Sequence, residues 1–108
     1  MAVTSVGSGS QSCTLDTEHT LDTETDAGVY VLVVDLNTMQ NDDQVILRIK
    51  TKTKSGSTLR LAFEASFLHI QSEPNKYSPA IPVDTEIVCT IEQIDGTGRS
   101  FDWNLLKM

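Results

Sequence analysis

Cysteine and histidine are scarce in this sequence. Its 108 residues include only two cysteines and two histidines. Two cysteines are too few for the dense disulfide framework of small secreted domains, so we expect two unpaired thiols in a reducing cytosol. His19 and His69 adjoin neither a glycine-rich elbow nor an activated cysteine. Nucleophilic catalysis by Ser or Cys beside a histidine base is therefore not expected, and we predict that the protein is not an enzyme.

Long hydrophobic runs are also missing. The longest apolar run, Val29 to Val34, has six residues, whereas a membrane-spanning helix needs about 20. The first residues, Met1 to Thr4, lack the basic start and apolar stretch of a secretory signal. We therefore expect neither export nor a membrane partner.

Basic residues are also few. Eight basic residues stand against 15 acidic ones, which gives a formal net charge of −7. Because nucleic-acid binding draws much of its affinity from Lys and Arg that neutralise phosphates, nucleic acid is not an expected partner. The charges are also segregated, since no Lys or Arg occurs before Arg48.

The first 26 residues differ from the rest in being rich in Ser, Thr and Gly. We expect residues 1–26 to form a flexible, extended acidic arm. Within it, the segment 14–24 is expected at a sheet edge, with Leu15 and Leu21 turned toward the core. Residues 27–108 are then expected to form a β-sandwich domain, the only domain that a chain of this length suggests.

Alternation of apolar and polar residues predicts the strands of that domain. Residues 28–36 are apolar on both faces, which is typical of a central strand covered on both sides. Residues 44–53 and 58–70 alternate and predict a hairpin across a turn at Gly56. The alternation places Leu61 among the inward residues of the second strand.

The last third of the chain continues the pattern. Residues 71–82 hold all three prolines, so an ordered loop or edge segment is expected. Residues 85–94 and 99–106 predict two closing strands, the second with Phe101 and Trp103 in the core. About six to eight short strands with no helical period indicate an all-β fold, a small antiparallel β-sandwich or barrel with an extended N-terminal arm.

The acidic arm could suggest a metal site, since it places six potential ligands within eleven residues: Asp16, Glu18, His19, Asp22, Glu24 and Asp26. A calcium site usually has a glycine-bearing loop with fixed ligand spacing, which this segment lacks. An extended strand would also point alternate carboxylates in opposite directions. We therefore expect no metal and no cofactor, and interpret the segment as a solvated or partner-facing strand.

A basic stripe follows on the predicted hairpin. Alternating Lys on an exposed strand face is common as simple solvation and as protection against edge aggregation. It would also complement an acidic partner, such as the acidic arm of a neighbouring copy, and phosphate binding is a third possibility. We predict two partner-binding sets. The arm set is Leu15, Asp16, Glu18, Leu21, Asp22 and Glu24, and the hairpin set is Arg48, Lys50, Lys52, Lys54 and Arg60.

A longer pattern runs from about residue 14 to residue 107. It includes residues 26–36, a Ser55-Gly56-Ser57-Thr58 turn, and the ending Gly96-Thr97-Gly98-Arg99-Ser100-Phe101-Asp102-Trp103. This layout resembles a family of small phage structural proteins often encoded near the major capsid gene, whose ending is similar to Gly-Thr-Asp-Arg-Ser-φ-x-Trp. Two departures are Gly98, where Asp is common, and the absence of a Gly-Trp before the penultimate strand.

The resemblance implies a non-enzymatic capsid decoration or cement protein. Its expected partners are the major capsid protein and neighbouring copies of itself in a homo-oligomer such as a trimer. Its expected location is the capsid surface of the virion, after synthesis in the host cytoplasm. One alternative is a head–tail connector, tail or fibre-base component. A second is a small OB-like or carbohydrate-binding module with Tyr77 or Trp103 as a stacking platform.

Overall fold

The computed structural model describes residues 2–108, which contain nine β-strands and no helix. Within that range, therefore, no helix could cross a membrane. The strands are β1 (Thr4–Ser12), β2 (Thr17–Glu24), β3 (Gly28–Asp35), β4 (Gln44–Thr51), β5 (Arg60–Leu68), β6 (Asn75–Tyr77), β7 (Ile81–Val83), β8 (Ile87–Asp95) and β9 (Ser100–Lys107).

Two antiparallel sheets pack face to face. The first sheet has the order β1-β9-β3-β6, with β7 also paired to β3, and the second has the order β2-β8-β4-β5. The prediction of an all-β antiparallel sandwich or barrel is confirmed, and the two sheets make it a sandwich. The short strands β6 and β7 come from the proline-bearing segment, which lies at an edge of the first sheet as expected.

The N-terminal segment forms edge strands of the sandwich. We expected residues 1–26 to be an arm beside a separate domain, but β1 pairs with β9 and β2 pairs with β8. The expected edge position of the segment 14–24 is confirmed for its strand, because β2 has one neighbour, β8, in the part of its sheet that the structure describes. Strands on both sides of residue 26 share both sheets, so the structure shows no domain boundary there.

Glycine explains how such a polar segment packs as β1. Gly7 and Gly9 face inward, opposite Leu105 and Trp103 of β9. A Cβ atom on Gly9 would lie 3.4 Å from the indole nitrogen of Trp103. The indole ring therefore fills the space that side chains of β1 leave open. Composition alone predicted an unpacked arm, because the apolar side chain that packs here, Trp103, belongs to β9 and not to the segment itself.

The core lies between the sheets and draws on four long strands, β3, β4, β8 and β9. Its fully or nearly fully buried members on these strands are Tyr30, Leu32, Val34, Val45, Leu47, Ile49, Ile87, Cys89, Ile91, Phe101 and Leu105. Trp103 packs against this cluster and is partly buried, so the expected core role of the β9 aromatics is confirmed. Cys13 and Cys89 are both buried and unpaired, which agrees with the prediction of free thiols.

The predicted hairpin is formed by β4 and β5, and Gly56 in its turn has a φ of 85°. The expected inward position of Leu61 is wrong, since its side chain is 53% exposed. Phe63 lies opposite Ile49 but Leu61 lies opposite Lys50, so one extra residue forms a bulge between them. A bulge reverses the facing of every residue beyond it, and simple alternation does not reveal it.

Candidate interaction surfaces

Arg48 is the centre of an ion network on the outer face of the second sheet. Its Nη1 lies 2.8 Å from Glu92 Oε1 and 3.4 Å from Glu18 Oε2, and its Nε lies 2.7 Å from Glu64 Oε2. Hydrogen bonds to Glu92 and Glu64 raise the pKa of the guanidinium further above its already high value. Since the three carboxylates come from β8, β2 and β5, Arg48 on β4 joins all four strands of this sheet.

Glu18 of β2 extends the network. Lys50 Nζ lies 3.2 Å from Glu18 Oε2, and the Thr90 hydroxyl donates a 2.6 Å hydrogen bond to the same oxygen. The Thr90 hydrogen bond, followed by the Lys50 and Arg48 interactions, lowers the pKa of Glu18 despite its desolvation. The acidic segment and the basic hairpin, which we predicted as two partner-binding sets, are thus paired within one chain through Glu18.

The basic hairpin set therefore divides into two groups. Arg48 and Lys50 are neutralised in the network, and Lys52 Nζ lies 3.0 Å from Glu86 Oε1. Lys54 and Arg60 are exposed and form no ion pair within residues 2–108. Of the five predicted cations, only these two remain free to attract an acidic partner.

The predicted arm set does not form one surface. Leu15 is 38% exposed and Asp16 adopts a φ of 62° in the turn between β1 and β2. Leu21 packs against the core. Asp22 and Glu24 share the inward face of β2 with their cross-strand partners Cys89 and Ile87. Glu18, in contrast, faces outward into the ion network.

The inward carboxylates are electrostatically costly. Asp22 Oδ2 is buried without a hydrogen-bond partner in the described part of the chain. Desolvation, followed by the neighbouring Asp22 and Asp26 carboxylates, raises the pKa of Glu24, while Lys107 opposes the shift. This corner therefore favours a proton on Glu24. At neutral pH the burial of these carboxylates destabilises β2, whereas the ion network around Arg48 stabilises the strand.

Exposed large apolar side chains lie on or beside β5 and β6, the strands at one edge of the sandwich. Leu61 and Leu68 face the outside of the second sheet, and Tyr77, opposite Val33, faces the outside of the first. Leu61, Leu68 and Ile70 are 53%, 49% and 57% exposed, and Tyr77 is 65% exposed. The two strands adjoin across the sandwich, because Lys76 Nζ lies 5.2 Å from the centre of the Phe67 ring. We call this the β5–β6 edge. One side of β5 has no strand partner among residues 2–108, so its backbone is open to further pairing.

The outer face of the first sheet has a different chemistry. Its β1 positions are all serine, namely Ser5, Ser8, Ser10 and Ser12, and its β3 positions are Val29, Val31, Val33 and Asp35. We expected β3 to be covered on both sides, but these valines are only half-buried and no third layer covers them within residues 2–108. A shallow depression of about 150 Å³ on this face is lined by Val33, Asp35, Asn75, Asp102, Trp103 and Asn104.

A buried polar hub joins the two loops at one end of the sandwich. Asp43 is 1% exposed, and its carboxylate accepts hydrogen bonds from Arg99 Nε and from the backbone N–H groups of Gln40 and Thr97. Burial alone would raise the pKa of Asp43, but these three donors outweigh it and lower the pKa. The fully buried Gln93 side chain accepts from Arg99 N and donates to Thr97 O.

This hub accounts for the most specific part of the C-terminal motif. Gly96 has a φ of 88°, and a Cβ there would collide with the Asp43 side chain. A Cβ on Gly98 would lie 2.6 Å from the Cys13 carbonyl oxygen, so the Asp common at this place in the phage family would not fit this chain. The residues of the motif therefore stabilise the fold, and their contacts within the chain account for them without a binding role.

Histidine and cysteine have structural surroundings. His19 Nε2 accepts a hydrogen bond from the Thr14 N–H, and His69 Nδ1 accepts one from the Asp42 N–H. Burial raises the pKa of the Cys13 thiol to about 11 and that of Cys89 to about 12. Both thiols are therefore protonated and poor nucleophiles near neutral pH. Residues 2–108 contain no group of three His, Cys, Asp or Glu side chains placed to hold a metal ion.

Sequence reasoning missed the Asp43 hub, the β5–β6 edge and the depression at Asp35 and Asp102. Asp43 stands in a polar loop, where nothing local distinguishes it from the exposed Asp42. The β5–β6 edge depends on a bulge and on sheet order, and the depression depends on cross-strand register. Each of these features joins residues far apart in sequence.

No protein-family model, curated protein or solved structure matches this chain.

Proposed function

We propose that this protein is a non-enzymatic structural protein of a phage virion, a decoration or cement protein that binds the major capsid protein shell and stabilises it. The residue pattern that resembles the phage family supports this proposal. The structural observation that carries it is the β5–β6 edge, where four large apolar side chains are about half exposed or more. Large exposed apolar side chains along a sheet edge offer a surface for binding another protein.

The β5–β6 edge offers two kinds of contact to a shell protein. Its apolar side chains, Leu61, Leu68, Ile70 and Tyr77, supply burial, at roughly 25 cal/mol per Å² of apolar surface. The free side of β5 supplies unpaired N–H and C=O groups that can add a strand from a partner. Because Arg48, Lys50 and Lys52 are already ion-paired, we favour this edge over the basic hairpin face as the shell-binding surface.

Counting copies in purified virions tests the proposal and its main alternative. Quantitative mass spectrometry of particles is expected to find this chain at hundreds of copies per virion. About a dozen copies or fewer would instead support a head–tail connector, tail or fibre-base component. Its absence from particles would overturn both.

A paired substitution tests the surface. Leu68→Asp together with Ile70→Asp is expected to weaken co-sedimentation with empty shells by about tenfold or more, since each change places a charge in an apolar contact. Val3→Asp is the control, because Val3 is 59% exposed and directly precedes β1, the strand at the opposite edge. Equal binding by the two variants, with the fold verified by circular dichroism, would show that another surface binds the shell.

The small binding module remains the second alternative and would depend on Tyr77. Trp103 packs against Gly9 and the core, which leaves its ring poorly placed as an open platform. Tyr77 is 65% exposed and could stack a base or a sugar. A Tyr77-dependent affinity for oligonucleotides or oligosaccharides would favour this alternative, and saturable binding that survives Tyr77→Ala would count against it.

A further inference from the structure

Two basic side chains at one end of the sandwich have no electrostatic partner in the described part of the chain. Among residues 2–108, Lys54 and Arg60 alone of the Lys and Arg side chains have neither an ion pair nor a cation–π contact. Both lie where β4 ends and β5 begins, on either side of the Gly56 turn. We call this end the basic tip. It presents two charges at the end of a well-paired hairpin.

Two acidic side chains on the outer face of the first sheet are also unbalanced. Asp35 lies directly opposite Asp102 in the register of β3 and β9, and like charges in such a cross-strand pair destabilise a sheet. Asp35 accepts a backbone hydrogen bond from Asn37, while Asp102 has no hydrogen bond or ion pair in the described part of the chain. No Lys or Arg lines the depression that holds them.

The depression has the composition that a long cationic side chain requires. Val33 offers an apolar wall, Asn75 and Asn104 offer amide groups, and the two aspartates offer carboxylates. Lys and Arg side chains combine an apolar stem with a charged head. An Arg head also forms bidentate hydrogen bonds to carboxylates.

One copy cannot bring these two sites together. β3 ends at Asp35, and the loop 36–43 leads directly into the start of β4, so Asp35 lies at the end of the sandwich where β4 begins. The basic tip lies where β4 finishes. A strand of eight residues spans about 26 Å, which is far beyond the reach of a Lys or Arg side chain.

We propose that this chain self-associates head to tail, with the basic tip of one copy docked in the Asp35–Asp102 depression of the next. The two surfaces are different, so the contact is heterologous and generates a ring if the rotation closes and a filament if it does not. Each contact would place Lys54 and Arg60 beside a carboxylate pair that no cation within residues 2–108 of its own chain contacts. This inference concerns contacts between copies and stands independently of shell binding.

Charge reversal on each side tests the contact. Sedimentation velocity of the full chain over a concentration series is expected to show association that weakens as salt rises. Asp102→Lys alone, and Lys54→Glu with Arg60→Glu, are each expected to weaken association about tenfold or more. Asp84→Lys is the control, because Asp84 is exposed, carries the same charge change and lies outside the depression.

Complementation separates this contact from nonspecific charge effects. Mixing the two reversed proteins is expected to restore association as a one-to-one complex, since the unchanged basic tip of the Asp102→Lys protein then meets the unchanged depression of the Lys54→Glu, Arg60→Glu protein. Asp102→Asn serves as a milder variant if Asp102→Lys fails to fold. A chain that stays monomeric up to about millimolar concentration, or reversals that do not complement each other, would overturn the proposal. Absence of the chain from virions would overturn only the shell-binding function.

Discussion

A single buried carboxylate organises one end of this molecule. Asp43 accepts from a side chain and two backbone N–H groups that belong to separate loops. Removing the charge from such a site leaves the partner cation without compensation in a partly dry environment. Gly96 depends on the same site, since its positive φ and the nearby Asp43 side chain both exclude a Cβ.

Asp43→Asn is the prediction at this scale. The amide keeps the shape but loses the ion pair with Arg99, whose side chain is 29% exposed, so we expect the free energy of unfolding to fall by about 2 kcal/mol. Urea denaturation at neutral pH measures the change. Asp42→Asn is the matched control, because Asp42 is exposed with a φ of 76° that Asn tolerates. Equal stabilities of the two variants would contradict a structural role for the hub.

The edge strands show how an element of low apolar content is held. β1 contributes glycines under the Trp103 ring and serines on the outer face. β2 carries two inward carboxylates that disfavour it, and the contacts from Glu18 to Arg48, Lys50 and Thr90 offset that cost. Neither strand would be stable alone, so both depend on neighbours from the far end of the chain.

Deleting residues 1–12, which include β1, is the prediction for this element. The deletion uncovers Trp103 and one edge of β9, so we expect a red shift of tryptophan fluorescence and partial aggregation of the purified protein. Deleting residues 1–3 is the control, since β1 begins at Thr4. A chain without β1 that kept native fluorescence and stability would show that the segment is dispensable, as an arm would be.

At the scale of the whole molecule, carboxyl groups with pKa shifts of opposite sign make opposite contributions to stability. Glu18 and Asp43 have lowered pKa values and Glu24 has a raised one. A lowered carboxyl pKa gives stability that is present above the unfolded pKa and is lost as pH falls through the folded value. A raised carboxyl pKa has the opposite sign, since the folded state then holds its proton more tightly than the unfolded state.

Glu24→Gln tests this arrangement. Above the folded pKa of Glu24, the variant is expected to be more stable than the natural chain by about 0.5 kcal/mol. The difference should shrink as pH falls through the folded pKa and be lost below the ordinary glutamate value of 4.5. Glu18→Gln is the matched comparison and should lower stability at pH 7, with that loss disappearing in acid. Thermal unfolding between pH 3 and pH 8 measures both, and the same sign for the two variants would refute the assignment.

The sequence by itself determined the all-β class, the central position of β3, the β4–β5 hairpin and the core role of Phe101 and Trp103. Alternation and turn residues are local properties, so they are readable without a partner. The tertiary structure alone decided the pairing of β1 and β2, the outward position of Leu61 and the neutralisation of Arg48. These outcomes depend on register and on charges that meet across the sheets from distant parts of the chain, which no local pattern contains.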